Sequence, residues 1–102
     1  MENTVLNLRT CLYKDGTDWI AETIDYSFIA QGYSIDQAIN GLVACVVSQY
    51  FRDKSKGKVE LESQKKLNKA FQSIFENADI RYKAEIQNQE STLKIQPELV
   101  YV

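Results

Sequence analysis

Apolar and polar residues alternate along the first third of the chain. Over residues 5–13, Leu6, Leu8 and Leu12 point to one side and polar side chains point to the other. A period of two residues is typical of a strand with one buried face. The pattern therefore predicts a first strand that lies against a core.

Turn residues and two further apolar runs follow this strand. Asp15 and Gly16 tolerate the positive φ that a tight hairpin turn requires, so a second strand is expected from Trp19 to Ile24. The sequence does not decide which side of this strand is buried, because two sets of side chains could face the core. These sets are Trp19/Ala21/Thr23 and Ile20/Glu22/Ile24. A bend at residues 25–27 leads to a third strand, Phe28 to Tyr33, which Gly32 ends.

A helix is predicted from Ser34 onward. Ser34 and Gln37 form a capping-box pattern, in which both side chains satisfy backbone N–H groups of the first turn. Behind them a wide apolar stripe recurs at steps of three and four residues: Ile35, Ala38, Ile39, Leu42, Val43, Val46, Val47, Tyr50 and Phe51. Gly41 within the helix predicts a close approach to a strand or another helix.

The second half of the chain predicts one helix and two strands. Residues 52–62 are charged and without periodicity, which indicates a flexible connection. Ser63 is the predicted N-cap of a second helix that ends at residues 77–79, with an apolar face at Leu67, Ala70, Phe71, Ile74, Phe75 and Ala78. Residues 81–87 alternate as a strand, and a last strand begins at Leu93. Pro97 lacks an N–H group and places that strand at a sheet edge, or breaks it.

These elements predict a single α+β domain over residues 1–102. We expect an antiparallel sheet of four or five strands with two helices, in the order β-β-β-α-α-β-β. Residues 1–51 form a βββα core, 52–62 a basic connection, and 63–102 a helix with the C-terminal strands. The sequence does not predict the order in which the C-terminal strands pair.

Composition indicates a protein of the cytoplasm. With 44% of its 102 residues hydrophobic, the chain can bury a core without cross-links. Cys11 and Cys45 lie in apolar stretches and are predicted to be buried, reduced thiols. The longest apolar run, 42–47, is far below the roughly 20 residues of a membrane helix, and no signal segment is recognised.

No catalytic, metal or cofactor site is predicted. The chain has no histidine, which removes the commonest general base, the usual nucleophile pairs and the usual transition-metal ligand. The acids around the first hairpin fit no known cation-binding loop. We therefore expect a binding protein and not an enzyme.

Charge is distributed unevenly, and this suggests two kinds of partner. Residues 1–51 hold six acids and two bases, whereas residues 52–69 hold seven bases and three acids. An acidic surface near one end of the sheet would attract a small basic protein partner, and Trp19 would add a contact residue. The predicted partner-binding residues are Asp15, Asp18, Trp19, Glu22 and Asp25. The simpler interpretation of the same acids is a solvated hairpin.

The basic segment supports an alternative in which the chain binds RNA. Its predicted phosphate contacts are Lys54, Lys56, Lys58, Lys65, Lys66 and Lys69, with Tyr50, Phe51 or Tyr82 as a stacking face. An isoelectric point near 5.1 and the core-like spacing of these aromatics argue against it. A third alternative is a structural or regulatory homo-oligomer whose open sheet edges pair with one another.

Residues 13–39 resemble the N-terminal domain of HicB-type antitoxins. The motifs that carry the resemblance are Asp15-Gly16, Trp19-Ile20-Ala21, Ile29-Ala30-Gln31-Gly32 and Ser34-Ile35-Asp36-Gln37-Ala38-Ile39. The resemblance implies a sheet with a packed helix, self-association as a homodimer or larger homo-oligomer, and masking of a small RNA-cleaving toxin in a toxin–antitoxin pair. Residues 63–102 do not match the DNA-binding segment of full antitoxins, so operator binding is not implied.

Overall fold

The computed structural model describes residues 4–83, 86–87 and 93–102. Its elements are β1 (Thr4–Asp15), β2 (Asp18–Thr23), β3 (Ile29–Gly32), α1 (Ile35–Ser55), a 3-10 turn (Glu62–Gln64), α2 (Lys69–Glu76), β4 (Tyr82–Lys83), β5 (Ile86–Gln87) and β6 (Leu93–Tyr101). β4 and β5 pair with β6 in the same register, and both lie within the predicted strand 81–87. The α+β class and the order β-β-β-α-α-β-β are confirmed.

One strand pair departs from the antiparallel sheet that we expected. The sheet has the order β3-β2-β1-β6-β4, and β5 also pairs with β6. β6 runs parallel to β1 from the pair Thr4 and Leu93 to the pair Leu12 and Tyr101. The hairpin with β2 occupies one edge of β1, so β6 takes the other edge. Its direction depends on the route of the chain across the sheet and not on local residue patterns.

Pro97 lies inside the sheet, so the prediction of an edge or broken strand is wrong. It is buried and pairs with Leu8 between β1 and the short strands. The Val102 N–H donates to the Leu12 carbonyl (2.8 Å), and successive residues of a strand direct their N–H groups to opposite sides. The nitrogen of Pro97 therefore points away from β1, and the long parallel ladder does not need its missing N–H.

α1 covers the face of the sheet formed by Leu8, Leu12, Ala21 and their neighbours. α1 passes close to β3 at Gly41, where an added Cβ would meet the Cβ of Ala30 at 3.5 Å, an ordinary contact distance. The predicted close approach of Gly41 to a strand is thereby confirmed. Ser34 caps the helix as predicted, since its Oγ accepts a hydrogen bond from the Gln37 N–H (3.1 Å).

The opposite face of the sheet is covered by α2. Phe75 packs there with Cys11, Ile24 and Val100 in a second, smaller apolar cluster. Both faces of β2 are therefore buried in part, which answers the question that its sequence left open. The middle of the sheet has apolar cover on each side.

α2 begins later than predicted. Asn68 is its N-cap, with Oδ1 accepting from the Phe71 N–H (3.1 Å), whereas Ser63 lies in the preceding 3-10 turn. The residues between them run beside the bend after β2: the Lys66 N–H donates to the Asp25 carbonyl, and the Asn68 N–H to the Ile24 carbonyl. These backbone bonds hold residues 65–68 extended, so a helix cannot start at Ser63.

Residues 52–62, predicted as a flexible connection, comprise the last turn of α1 and a loop that is hydrogen-bonded to it. α1 continues to Ser55, and its buried Asp53 accepts hydrogen bonds from the Leu61 N–H and the Gln49 side chain, both at 2.9 Å. Leu61 is buried in the main core with a left-handed backbone, at φ 63°. One carboxylate thus fixes the loop that brings Leu61 into the core.

Replacing Asp53 with asparagine should remove a pH-dependent part of the stability. The hydrogen bond from Leu61, supported by Gln49, holds the pKa of Asp53 below its ordinary value of 3.8. A lowered pKa in the folded state adds stability that is present above 3.8 and disappears as the pH falls through the folded pKa. In urea titrations, the wild type should exceed Asp53→Asn at neutral pH and approach it in acid. A constant difference across this range contradicts the assignment, and Asp79→Asn controls for loss of a surface charge.

Candidate functional site

The β1–β2 hairpin presents two of the predicted partner-binding acids at its tip. Asp15 and Asp18 are paired across a two-residue turn in which Gly16 has φ 63°. Asp18 is held by the Gln31 side chain, which donates to its carboxylate (2.9 Å), while Asp15 is exposed. The hairpin tip therefore carries two carboxylates at one end of the sheet.

Trp19 leads from this tip into a row of aromatic side chains. Its ring meets that of Tyr101 edge-on at a centroid distance of 6.3 Å, and Tyr101 meets Tyr82 in the same way at 5.4 Å. We call Trp19, Tyr101 and Tyr82 the aromatic row. The Lys14 ammonium lies 5.5 Å from the Trp19 ring centre, where it gains a cation–π contact.

The aromatic row is accessible from solvent. Tyr82 and Tyr101 each expose 48% of their surface, and Trp19 is half-buried. Beside the row, a shallow cavity of about 490 Å³ is lined by Ile80 and Asp79 together with both tyrosines. This end of the sheet thus offers an apolar surface with carboxylates next to it.

Sequence reasoning found only part of this surface. Trp19 was predicted as a contact residue and Tyr82 as a stacking residue for RNA, but Tyr101 was missed. Its pairing with Leu12 brings it beside Trp19, and that pairing belongs to the parallel β1–β6 ladder. The local pattern around Tyr101 carries no signal of this contact.

Glu22 and Asp25 do not join the hairpin acids, so the predicted acidic end of the sheet divides in two. At about 3.3 Å per residue along β2, Glu22 lies roughly 13 Å from Asp18. Asp25 accepts two hydrogen bonds from Arg9, at 2.6 and 2.9 Å. Glu22 accepts one from the Tyr13 hydroxyl at 2.9 Å and one from the side chain of Asn68, the N-cap of α2, at 3.4 Å. Both carboxylates are used inside the fold, where they join the sheet to the α2 side.

The groups around Glu22 are poorly suited to proton transfer. Burial, then the hydrogen bond to Glu22, raises the pKa of Tyr13 to about 12. Burial also raises the pKa of the Cys11 thiol to about 11, with Glu22 adding to the effect. Both groups stay protonated near neutral pH, where a thiol is a poor nucleophile.

The six lysines of the RNA-binding alternative are all exposed. Lys65 is engaged with Glu62 at 3.0 Å, and Lys66 lines a cavity beside the β2–β3 bend. Tyr50 and Phe51 meet edge-on at 5.2 Å and pack against the main core. Of the three proposed stacking residues, Tyr82 has the most open ring, and it belongs to the aromatic row.

The two cysteines differ in exposure. Cys11 is buried as predicted, but Cys45 is exposed on α1, because its position falls outside the apolar stripe that faces the sheet.

Over residues 4–83, 86–87 and 93–102, no three acidic or cysteine side chains come together as a metal site. None of the helices in this part of the chain is long and apolar enough to cross a membrane.

Comparison of the chain with protein-family models, with curated proteins and with solved structures finds no match.

Proposed function

We propose that this chain is a non-catalytic binding protein, similar to a HicB-type antitoxin, that binds and masks a small basic RNA-cleaving toxin. The observation that carries the proposal is the exposed aromatic row next to the carboxylates of the β1–β2 hairpin. The resemblance of residues 13–39 supports the class of partner, and the row and hairpin supply the contact surface.

The composition of the aromatic row suits a protein partner. Tryptophan and tyrosine are enriched among the residues that dominate binding energy at interfaces, because each buries a large rigid surface and keeps a polar group for hydrogen bonding. Tyr101 lies between the two other rings and is held by both. A surface that is ordered before binding loses little conformational entropy on association.

Charge favours a basic partner. Asp15 and Asp18 lie beside Trp19, and Asp79 lines the cavity with Tyr82, so carboxylates lie near both ends of the row. Lys14 on the Trp19 ring and Lys83 after Tyr82 also lie near these ends. A partner that binds RNA carries lysine and arginine, and such charges would be attracted to this rim. Attraction of this kind mainly raises the association rate, and salt weakens it.

The test is capture of the partner from the host of this chain at low salt, followed by a toxin assay. We expect a small basic protein whose RNA cleavage stops when this chain is added. Tyr101→Ala should weaken binding about 30-fold, the effect of losing a central contact of roughly 2 kcal/mol. Asp15→Asn with Asp18→Asn should slow association and reduce its dependence on salt.

The control is Val59→Ala, which removes an exposed apolar side chain from the loop after α1, far along the chain from the row. It should leave the affinity unchanged. Recovery of RNA without protein, with binding lost in a Lys54/Lys56/Lys58→Ala variant, would replace this proposal with the RNA-binding alternative. A toxin that binds Tyr101→Ala as tightly as the wild type would show that the row is not the contact surface.

A further inference from the structure

β3 forms one end of the described sheet, and its outer edge has free backbone groups. The Thr23 N–H donates to the Phe28 carbonyl (3.0 Å), so residues 28, 30 and 32 direct their backbone groups toward β2. By alternation, Ile29 and Gln31 direct theirs outward, and Tyr33 follows in the bend after β3. The Tyr33 N–H is taken by the Gln37 side chain. Both backbone groups of Ile29 and of Gln31 are available to another strand.

This edge carries no charge that would oppose pairing, although β3 is only four residues long. Residues 26–35 contain no charged side chain, whereas exposed edges usually carry lysine, proline or a bulge. Ile29 is 57% exposed and Tyr33 is 83% exposed. At the other end of the sheet, β4 carries Lys83.

A cavity opens at the start of this edge. It holds about 240 Å³ and is lined by Tyr26, Phe28 and Ile29 on its apolar side and by Glu22 and Lys66 on its polar side. The edge therefore carries an apolar hollow at Ile29 and a projecting aromatic side chain four residues later, at Tyr33. A strand laid antiparallel along β3 would bring a side chain directly over the hollow.

We propose that β3 pairs with β3 of a second copy of this chain, antiparallel about a two-fold axis at Gln31. In this register Gln31 bonds to Gln31 of the other copy through both backbone groups, and the Ile29 N–H lies opposite the Tyr33 carbonyl. The Ile29 carbonyl stays with solvent, because the Tyr33 N–H is held by the Gln37 side chain. Tyr33 of one copy then lies opposite Ile29 of the other, with its ring in the cavity and its hydroxyl toward Glu22 and Lys66.

The occupant is a second copy because the hollow and the side chain that fills it lie on the same edge. A two-fold axis between two copies places the Tyr33 side chain of each copy at the hollow of the other. An interface of this kind is closed and self-complementary. The uncharged stretch 26–35 brings no like charges together across the axis. The aromatic row runs from β2 toward β6 and β4, away from this edge, and the two surfaces are linked through Gln31, whose side chain holds Asp18.

Light scattering after size-exclusion chromatography tests the pairing. At high concentration we expect twice the 11.7 kDa mass of one chain, and the mass should fall on dilution because the interface is small. Gln31→Pro should give a monomer, since it removes an outward N–H and leaves the ladder with β2 complete. Tyr33→Ala should raise the dimer dissociation constant at least about 10-fold.

Ile29→Lys and Val59→Lys form a matched pair, because each puts a charge on an exposed apolar position. The first should abolish the dimer and the second should not change it. A single-chain mass at concentrations up to about 1 mM, the weak end of the affinity scale, would overturn the proposal. A dimer that persists in both the Gln31→Pro and the Ile29→Lys variants would also overturn the proposal.

Cross-linking tests the register directly. Strand pairs of this kind place opposed Cα atoms about 5.5 Å apart, within disulfide range. In a Cys45→Ser background, Gln31→Cys should form an intermolecular disulfide under mild oxidation. Asn40→Cys, exposed on α1, should not. Equal cross-linking at both positions, or none at Gln31→Cys, would overturn the axis at Gln31.

Discussion

Replacing Phe75 with alanine should lower the free energy of unfolding by about 3–5 kcal/mol, the usual range for a buried phenylalanine. Phe75 fills the small cluster on the second face of the sheet with Cys11, Ile24 and Val100. The Arg9 and Arg81 guanidinium groups lie 5.6 and 5.0 Å from its ring centre. Loss of the ring would leave a cavity and remove both cation–π contacts.

The same substitution should release α2. A helix of eight residues has little stability of its own, so α2 persists because of the face it buries. In the wild type we expect a thiol reagent to modify Cys45 quickly and Cys11 slowly, since Cys11 is buried under Phe75. In Phe75→Ala, both thiols should react.

The control for Phe75→Ala is Ile74→Ala on the same helix. Ile74 is 38% exposed and belongs to neither apolar cluster, so its loss should lower stability clearly less than the loss of Phe75. Urea unfolding monitored by tryptophan fluorescence measures both variants. Equal effects of the two substitutions, with Cys11 still protected, would mean that α2 does not cover a second core.

Gly32→Ala should be the second severe substitution. A Cβ at this position would lie 2.8 Å from the backbone nitrogen of Ala38 and 2.8 Å from the Cβ of Gln37. Both atoms belong to the first turns of α1, so the clash can be relieved only if the helix start moves away from β3. Overpacking of this kind typically costs about 1–3 kcal/mol, and the rigid backbone places this case at the upper end.

Gly41→Ala supplies the matched comparison. Its Cβ would meet the Cβ of Ala30 at 3.5 Å, an ordinary contact, and alanine is favoured over glycine within a helix by about 1 kcal/mol. This variant should therefore be as stable as the wild type or more stable. Thermal unfolding of the two glycine variants side by side tests the argument, which fails if Gly32→Ala melts at the wild-type temperature.

The two proposed surfaces are compatible within one assembly. Pairing at β3 would join two sheets end to end, and each aromatic row would remain open toward its own β6 and β4. A dimer of this form presents two contact surfaces for a partner. The predicted ratio of partner to chain is therefore one to one, with and without dimerisation.

Several elements could be predicted from the chain alone because their signals are local. Alternation in residues 5–13, the Asp15-Gly16 turn and the Ser34 cap depend on residues within a few positions of one another. The close approach at Gly41 could be inferred because glycine is unfavourable in a helix without such a reason. The class and the order of elements follow from these local signals.

Other features depend on contacts between residues far apart in the chain. The direction of β6, the interior position of Pro97 and the late start of α2 all follow from pairings across the sheet or with the bend after β2. The charged segment after α1 has a loop-like composition, and only the burial of Asp53 against Leu61 shows that it is ordered.

The candidate site shows the same division. The sequence by itself determined a tight acidic turn with Trp19 next to it, because turn chemistry acts over a few residues. Only the tertiary structure decided that Glu22 and Asp25 are engaged with Tyr13 and Arg9, and that Tyr101 joins Trp19. The physical reason is that charge pairing and ring contacts depend on distance in space, which strand order and register set, and neither is encoded in local residue patterns.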